Sequence, residues 1–323
     1  MRKPWAVLGA AAVIGLIAPH ASAQEALKWA HVYETSEPYH TWAVWAGEQI
    51  AERTDGRYTV EVYPASSLGK ETDINEGLSL GTVDIIYTGQ LFAGQSYGPI
   101  SIGGAPYMFR DHEHWQAYVN SDVFDEVAQG YRDATGHEVT SVTYYGERHV
   151  TSNKPILTPA DMQGLKIRVP DAPLYRMFPE ATGANPTPIA FAEVYLALQQ
   201  GVVDAQENPL PTIQAKKFYE VQSDINLTGH ITDALLTIVS GPRWDQLSDE
   251  DKQIFQEVLD EAAANASAEI VQKEVDLVGW FKDEGKNVNE VDRGPFREAV
   301  VKVHNVDAPW DQDLYDRLQA IEG

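Results

Sequence analysis

From Ser248 to Lys282 the sequence carries one uninterrupted helical pattern, SDEDKQIFQEVLDEAAANASAEIVQKEVDLVGWFK. Ser248 is a suitable N-cap, Asp249, Glu250 and Asp251 complement the positive end of the helix dipole, and the alanines at 262, 263, 264 and 266 add helix propensity. About 35 residues at 1.5 Å each would span roughly 50 Å, more than the width of one small domain. The run therefore either lies across two lobes or breaks into two helices near Asn265, and the residues alone leave both open.

The first 23 residues read as a secretory leader. Arg2 and Lys3 precede an apolar run from Ala6 to Ile17, and Ala21-Ser22-Ala23 is a small-residue cleavage site. That run is shorter than the ~20 residues needed to span a bilayer, so cleavage after Ala23 and export to the periplasm are expected. Loss of the leader removes two positive charges and leaves 22 basic against 48 acidic residues. Such a surface repels nucleic acid and anionic membranes, and any anion site must be locally basic. With no cysteine in 323 residues, neither a disulfide nor a lipidated cysteine holds the protein in place. The chain is expected to act as a monomer.

The remaining 300 residues suffice for two domains. Ala26–Val32, Tyr58–Tyr63 and Val83–Tyr87 read as strands, separated by helical patterns at Tyr39–Arg53 and Glu71–Leu80. Gly89–Pro106 reads as a loop, Asp111–Tyr131 as one helix and His137–Tyr145 as a strand that crosses to a second lobe at Gly146. The pattern then restarts with strands at Leu165–Val169, Pro186 and Val202–Ala205, and helices near Asp161, from Asp171 and at Phe191–Gln200. The tail from Pro295 to Ile321 reads as helical with a turn near Pro309. This predicts an α/β chain of two lobes.

Arg168 lies in Leu165-Lys166-Ile167-Arg168-Val169-Pro170, where Pro170 stops the strand just beyond it. It stands at the carboxyl end of a strand, where open α/β sheets bind ligands, and its fork can take a carboxylate bidentately. The competing reading is a structural ion pair with one of many acids. Arg148, at another predicted strand end, has Glu147 and other acids nearby. Asn208 lies in Gln206-Glu207-Asn208-Pro209, read as a tight turn in which the proline restricts the asparagine to an extended shape. Trp29, Tyr33, Tyr144, Tyr145 and Phe191 flank predicted strand or helix ends and can serve as core or as stacking platforms. His112-Glu113-His114 lacks a third ligand and reads as solvated surface, so no metal or other cofactor is expected. No nucleophile elbow, phosphate loop or zinc-protease motif is present.

Several segments together resemble one family. They are Tyr63–Gly69, Thr151–Ile156, Gly164–Pro170, Gly183–Gln200 and Val203–Pro209. Across essentially the whole exported chain they resemble the solute-binding proteins of TRAP (tripartite ATP-independent periplasmic) transporters, the DctP family, nearest the branch that binds sialic and sugar acids. The resemblance implies the two-lobed periplasmic solute-binding fold, with strand hinges and a long helix spanning both lobes. It implies lobe I at residues 24–145 plus about 234–273, and lobe II at 146–233 plus about 274–323. By similarity Arg168 pairs with a ligand carboxylate, Asn208 and Arg148 assist, and Phe191 packs on the ligand; Tyr145, from its place at a strand end, is a further candidate for the site. His31, Tyr33, Glu34 and Gln90 occupy the corresponding strand ends of the first lobe. Gly89 stands where a sialic-acid binder carries an acid, and His31 where it carries an asparagine; both departures argue against sialic acid itself.

The expected function is an exported receptor, not an enzyme, that binds a small organic acid and delivers it to the small and large TRAP permease subunits. Within the same system, a C4-dicarboxylate or 2-oxo acid is the alternative ligand. An exported enzyme acting on acidic sugars and a receptor for an ATP-driven importer are the alternatives outside it.

Overall fold

The computed structural model of the protein describes residues 24–322; the predicted leader and its cleavage site lie outside the described residues. Nine strands form one mixed sheet: β1 (Glu25–Ala30), β2 (Tyr58–Tyr63), β3 (Ile85–Gly89), β4 (Glu138–Ser152), β5 (Lys166–Val169), β6 (Asn185–Pro188), β7 (Ala205–Pro209), β8 (Asp224–Val239) and β9 (Asn287–Asn289). Their order is β2-β1-β3-β8-β4-β7-β5-β6, with β9 added beside β8. The two ends are parallel βαβ units, β1 with β2 and β3, and β5 with β6 and β7. Between them β4 and β8 pair antiparallel from Glu138↔Val239 to Ser152↔Asp224.

β4 and β8 set the architecture. At 15 and 16 residues they are about three times the usual strand length and reach roughly 50 Å at 3.3 Å per residue. The helix Asp249–Asp283 is likewise about 50 Å long at 1.5 Å per residue. It runs unbroken, and the Asn265 amide donates to the Glu261 carbonyl inside it, so the possible break near Asn265 does not occur. Its first turn is capped as the sequence predicts, with the Ser248 hydroxyl accepting from the Asp251 N–H. Three elements of matched length thus connect the two halves.

The core is divided accordingly. One large cluster, including Trp29, Tyr39, Ile85, Leu236, Phe255 and Ile270, fills the β2-β1-β3 half. Two smaller ones, around Ile167 and Phe178 and around Ile213 and Phe281, fill the other. A fourth small cluster joins Leu91 and Phe92, which follow β3, to Val169 and Tyr175, which belong to or follow β5.

The structure departs from the sequence reading in several places. The strand ending at Tyr145 continues through Gly146 as β4, with register shifts at Tyr144/Gly146 and Arg148/Val150. Gly146 has φ +116°, and a Cβ there would meet Glu274 Oε1 and Pro209 Cβ, both at 2.8 Å. The predicted helix Asp111–Tyr131 is two, His112–Val119 and Asp122–Thr135, because Ser121 caps the second. The loop Gly89–Pro106 contains a helical turn, Gln90–Ala93, and a 3-10 segment, Gly98–Gly104. The predicted strand Val202–Ala205 is shifted to Ala205–Pro209, which makes Asn208 a strand residue opposite His149 rather than a turn residue. His114 is fully buried and bonds the Leu318 carbonyl, so this histidine is not solvated surface, whereas Glu113 beside it is exposed. No cluster suited to a metal ion occurs among the described residues.

Candidate ligand-binding site

A narrow cleft, partly open to solvent, lies between the two halves of the sheet. Tyr33, Glu71 and Gly89 line it from the β2-β1-β3 side, Arg168, Tyr175, Phe191 and Asn208 from the β7-β5-β6 side, and Arg148 and Asp233 from the two long strands.

Arg168 is near the end of β5, where Pro170 terminates pairing, and is 2% exposed. Its Nε–H donates to the Ile189 carbonyl at 2.9 Å. Its Nη1 is buried without a hydrogen-bond partner, and no carboxylate among the described residues forms an ion pair with it. Burial lowers its pKa to about 10, which Glu207 opposes, so the group remains cationic at neutral pH. The guanidinium carbon lies 5.9 Å from the Phe191 ring centroid, and the Lys216 ammonium lies 5.0 Å from the same ring. A buried cation with free donors is an unstable arrangement by itself, and an incoming anion would relieve it.

Arg148 lies between the last two of three register shifts of β4, and bulged backbone re-aims such a side chain. Its guanidinium is already engaged. Nε meets Glu207 Oε2 at 2.5 Å, Nη1 meets Asp233 Oδ2 at 2.9 Å, and Nη2 meets Glu207 Oε1 at 2.8 Å and Asn208 Oδ1 at 3.2 Å. Burial alone would raise Glu207, but Arg148 and His230 hold its carboxyl at about 2. Burial raises Asp233 despite Arg148. Glu147, the neighbour expected to neutralise Arg148, pairs instead with Arg293 at 2.7 Å. The two arginines are therefore not equivalent: Arg148 is neutralised by the protein and Arg168 is not.

Asn208 and Tyr145 complete this wall. Asn208 Nδ2 donates to Gln206 Oε1 at 2.6 Å, and its Oδ1 accepts from Arg148 and from the Tyr145 hydroxyl at 3.2 Å. Tyr33 packs against Tyr145, with ring centroids 5.3 Å apart. Of the first-lobe residues singled out from sequence, only Tyr33 reaches the cleft. The His31 ring turns inward, accepts the Tyr33 N–H and contacts His40, and burial followed by His40 lowers its pKa to about 3. Glu34 forms an ion pair with Lys216 at 2.6 Å across the two halves. Gln90 is fully buried beneath the cleft against Gly103. The sequence reading missed Glu71, Tyr175 and Asp233 as cleft residues. Glu71 reads from sequence only as a helix start, and Asp233 lies in a strand that the hydrophobic pattern did not reveal.

Residues 29–307 match the family model described as bacterial extracellular solute-binding protein, family 7. The chain belongs to this family, whose members are the solute receptors of TRAP transporters. It is 35% identical over 275 residues to the sialic acid-binding periplasmic protein of Vibrio cholerae, covering 85% of this chain and 86% of that one. It is 32% identical over 320 residues to the 2,3-diketo-L-gulonate-binding periplasmic protein of Escherichia coli, covering 96% and 97%. Among solved structures, a TRAP periplasmic solute-binding protein of Roseobacter denitrificans with bound L-galactonate superposes with a TM-score of 0.87 at 30% identity, over 92% of this chain and 98% of that one. TRAP receptors of this family are periplasmic binding proteins, and no helix among the described residues is long and apolar enough to cross a membrane.

Proposed function

We propose that this TRAP receptor captures a small hydroxylated monoacid, such as an aldonate or uronate, through Arg168, and delivers it to the membrane permease. One observation carries the reading: Arg168 is a buried, charged guanidinium that forms no ion pair with a carboxylate among the described residues. The ligand carboxylate takes its two Nη groups while Ile189 holds Nε. Arg148 and Asn208 brace the seat, and Phe191 packs on the carbon chain. The relative with bound L-galactonate supports the choice of a sugar acid.

The lobes in this reading are residues 24–145 plus about 234–273, and 146–233 plus about 274–323. They close on the ligand about β4, β8 and the long helix. The protein works as a periplasmic monomer after cleavage behind Ala23, with the small and large permease subunits as partners; its acidic surface excludes nucleic acid. A thermal-shift screen of the purified protein against aldonates, uronates, C4-dicarboxylates and 2-oxo acids tests the ligand class, because a ligand that binds only the folded state raises the melting temperature. A rise with an aldonate or uronate is expected. A response to none of these acids would overturn the reading.

A further inference from the structure

The free seat at Arg168 accounts for one carboxylate, and the opposite wall decides what else a ligand can carry. Glu71 begins the helix Glu71–Leu80, lines the same cleft and forms no ion pair among the described residues. It is held rigidly: Oε1 accepts the Gly89 N–H at 2.8 Å and the Thr88 hydroxyl at 3.0 Å, and Asn75 buttresses Thr88 at 2.8 Å. Gly89 makes room for this arrangement, since a Cβ there would stand 3.0 Å from the Tyr175 hydroxyl and 3.8 Å from Glu71 Oε1. Glu71 Oε2 has no hydrogen-bond partner among the described residues. The Thr72 hydroxyl is buried and unpartnered, and the hydroxyls of Tyr33 and Tyr175 also bond nothing described.

We propose that Glu71 limits the site to acids with a single carboxylate by placing its own carboxylate, among unpartnered hydroxyls, against the far end of the ligand. This rests on the reading of Arg168 as the carboxylate seat. A ligand hydroxyl can donate to Glu71 Oε2 and accept from a tyrosine or threonine hydroxyl. A second carboxylate can only accept, and above about pH 7, where Glu71 is ionised, it meets a like charge without a buried cation to offset it. Arg148 is taken by Glu207 and Asp233. Lys70 is at the rim, about half exposed and 3.8 Å from Asp171.

The test uses pairs of acids that differ only in oxidation of the terminal carbon: L-galactonate against galactarate, and D-erythronate against meso-tartrate. Calorimetry at pH 8.5, where Glu71 is ionised, on the wild type, Glu71→Gln and Glu71→Asp reads the ratio of dissociation constants within each pair. The wild type and Glu71→Asp are expected to favour the monoacid by roughly tenfold or more, and Glu71→Gln to narrow that ratio severalfold. A wild type that binds the diacid as tightly, or a Glu71→Gln ratio equal to the wild-type ratio, overturns the role of Glu71 while acid binding stands. If no acid binds the wild type, the acid-receptor reading falls and this inference falls with it.

Discussion

Arg168 donates its Nε–H to the carbonyl of Ile189 at 2.9 Å, and this single bond orients a cleft-lining guanidinium whose Nη1 is buried without a partner and which no carboxylate among the described residues pairs. Arg148, in the same cleft, has two acids for one cation. The contrast between a satisfied and an unsatisfied arginine governs the first two expectations.

Replacing Arg168 by Met removes a buried charge that the ligand-free protein does not neutralise. Replacing a buried ionic group by an apolar side chain of similar volume is often neutral or stabilising by about 1–4 kcal/mol. Arg168→Met is therefore expected to match or exceed the wild type in urea-induced unfolding without ligand, although it loses acid binding. A loss of several kcal/mol would mean that the protein itself pairs Arg168.

Arg148→Met should behave oppositely. It strands Glu207 and Asp233 in a dry environment, and breaking a buried pair costs on the order of 3–5 kcal/mol. Thermal or urea unfolding should show this loss in the absence of any ligand. A variant as stable as the wild type would remove Arg148 from its structural role.

The interface between the halves carries an ion pair, Glu34–Lys216 at 2.6 Å, with Lys216 also over Phe191. The pair is partly exposed, so its strength is modest, about 0.2–1 kcal/mol. Lys216→Met should weaken ligand affinity by up to about fivefold, mainly through faster release, because the closed form loses a contact that the open form lacks. Stopped-flow dissociation would measure it; an unchanged off-rate would show that the pair does not contribute to closure.

Three buried glutamates should each make stability fall as pH rises. Burial, opposed by local hydrogen bonds, raises Glu37, Glu71 and Glu274 to about 7 each. An unfolded chain ionises these groups near pH 4.3, so between roughly pH 4.5 and 7 these three sites hold more protons in the folded state and their contribution to stability falls as pH rises. Glu207, held at about 2, acts in the other direction only below pH 4.5. His31, lowered to about 3, and the buried His149, His230 and His304, lowered by burial, act the other way below about pH 6.5, so the glutamate effect is read as a difference between two proteins. The wild-type urea midpoint should fall relative to that of Glu274→Gln as pH rises from 5 to 7.5; a difference that does not change with pH would contradict this.

Much of the scaffold was legible in the sequence, because local signals and tertiary demand agree there. Tyr58–Tyr63 alternates as a strand, Glu71–Leu80 ends at a left-handed Gly81, and Ser248 caps the long helix as its type predicts. β8 was not legible. It is buried along almost its whole length, so it lacks alternation, and Gly229 interrupts its pattern. The same non-local pairing, β4 with β7 and β8, places Asn208 in a strand and brings Asp233 to Arg148. At the site, Pro170 marked the end of the Arg168 strand, whereas nothing local distinguishes Arg148 with two carboxylates from Arg168 with none. His31, Glu34 and Gln90 stand near strand ends but do not line the cleft: His31 and Gln90 are buried and Glu34 is held by Lys216, tertiary contacts that a linear pattern does not carry.

The most direct measurement is titration calorimetry of the tightest acid from the thermal-shift screen against the wild type and Arg168→Ala. Loss of a desolvated charge-assisted pair should weaken binding by roughly 2–5 kcal/mol, a factor of tens to thousands in Kd. An Arg168→Ala protein that binds the acid with the wild-type Kd would contradict the assignment of Arg168 as the carboxylate seat.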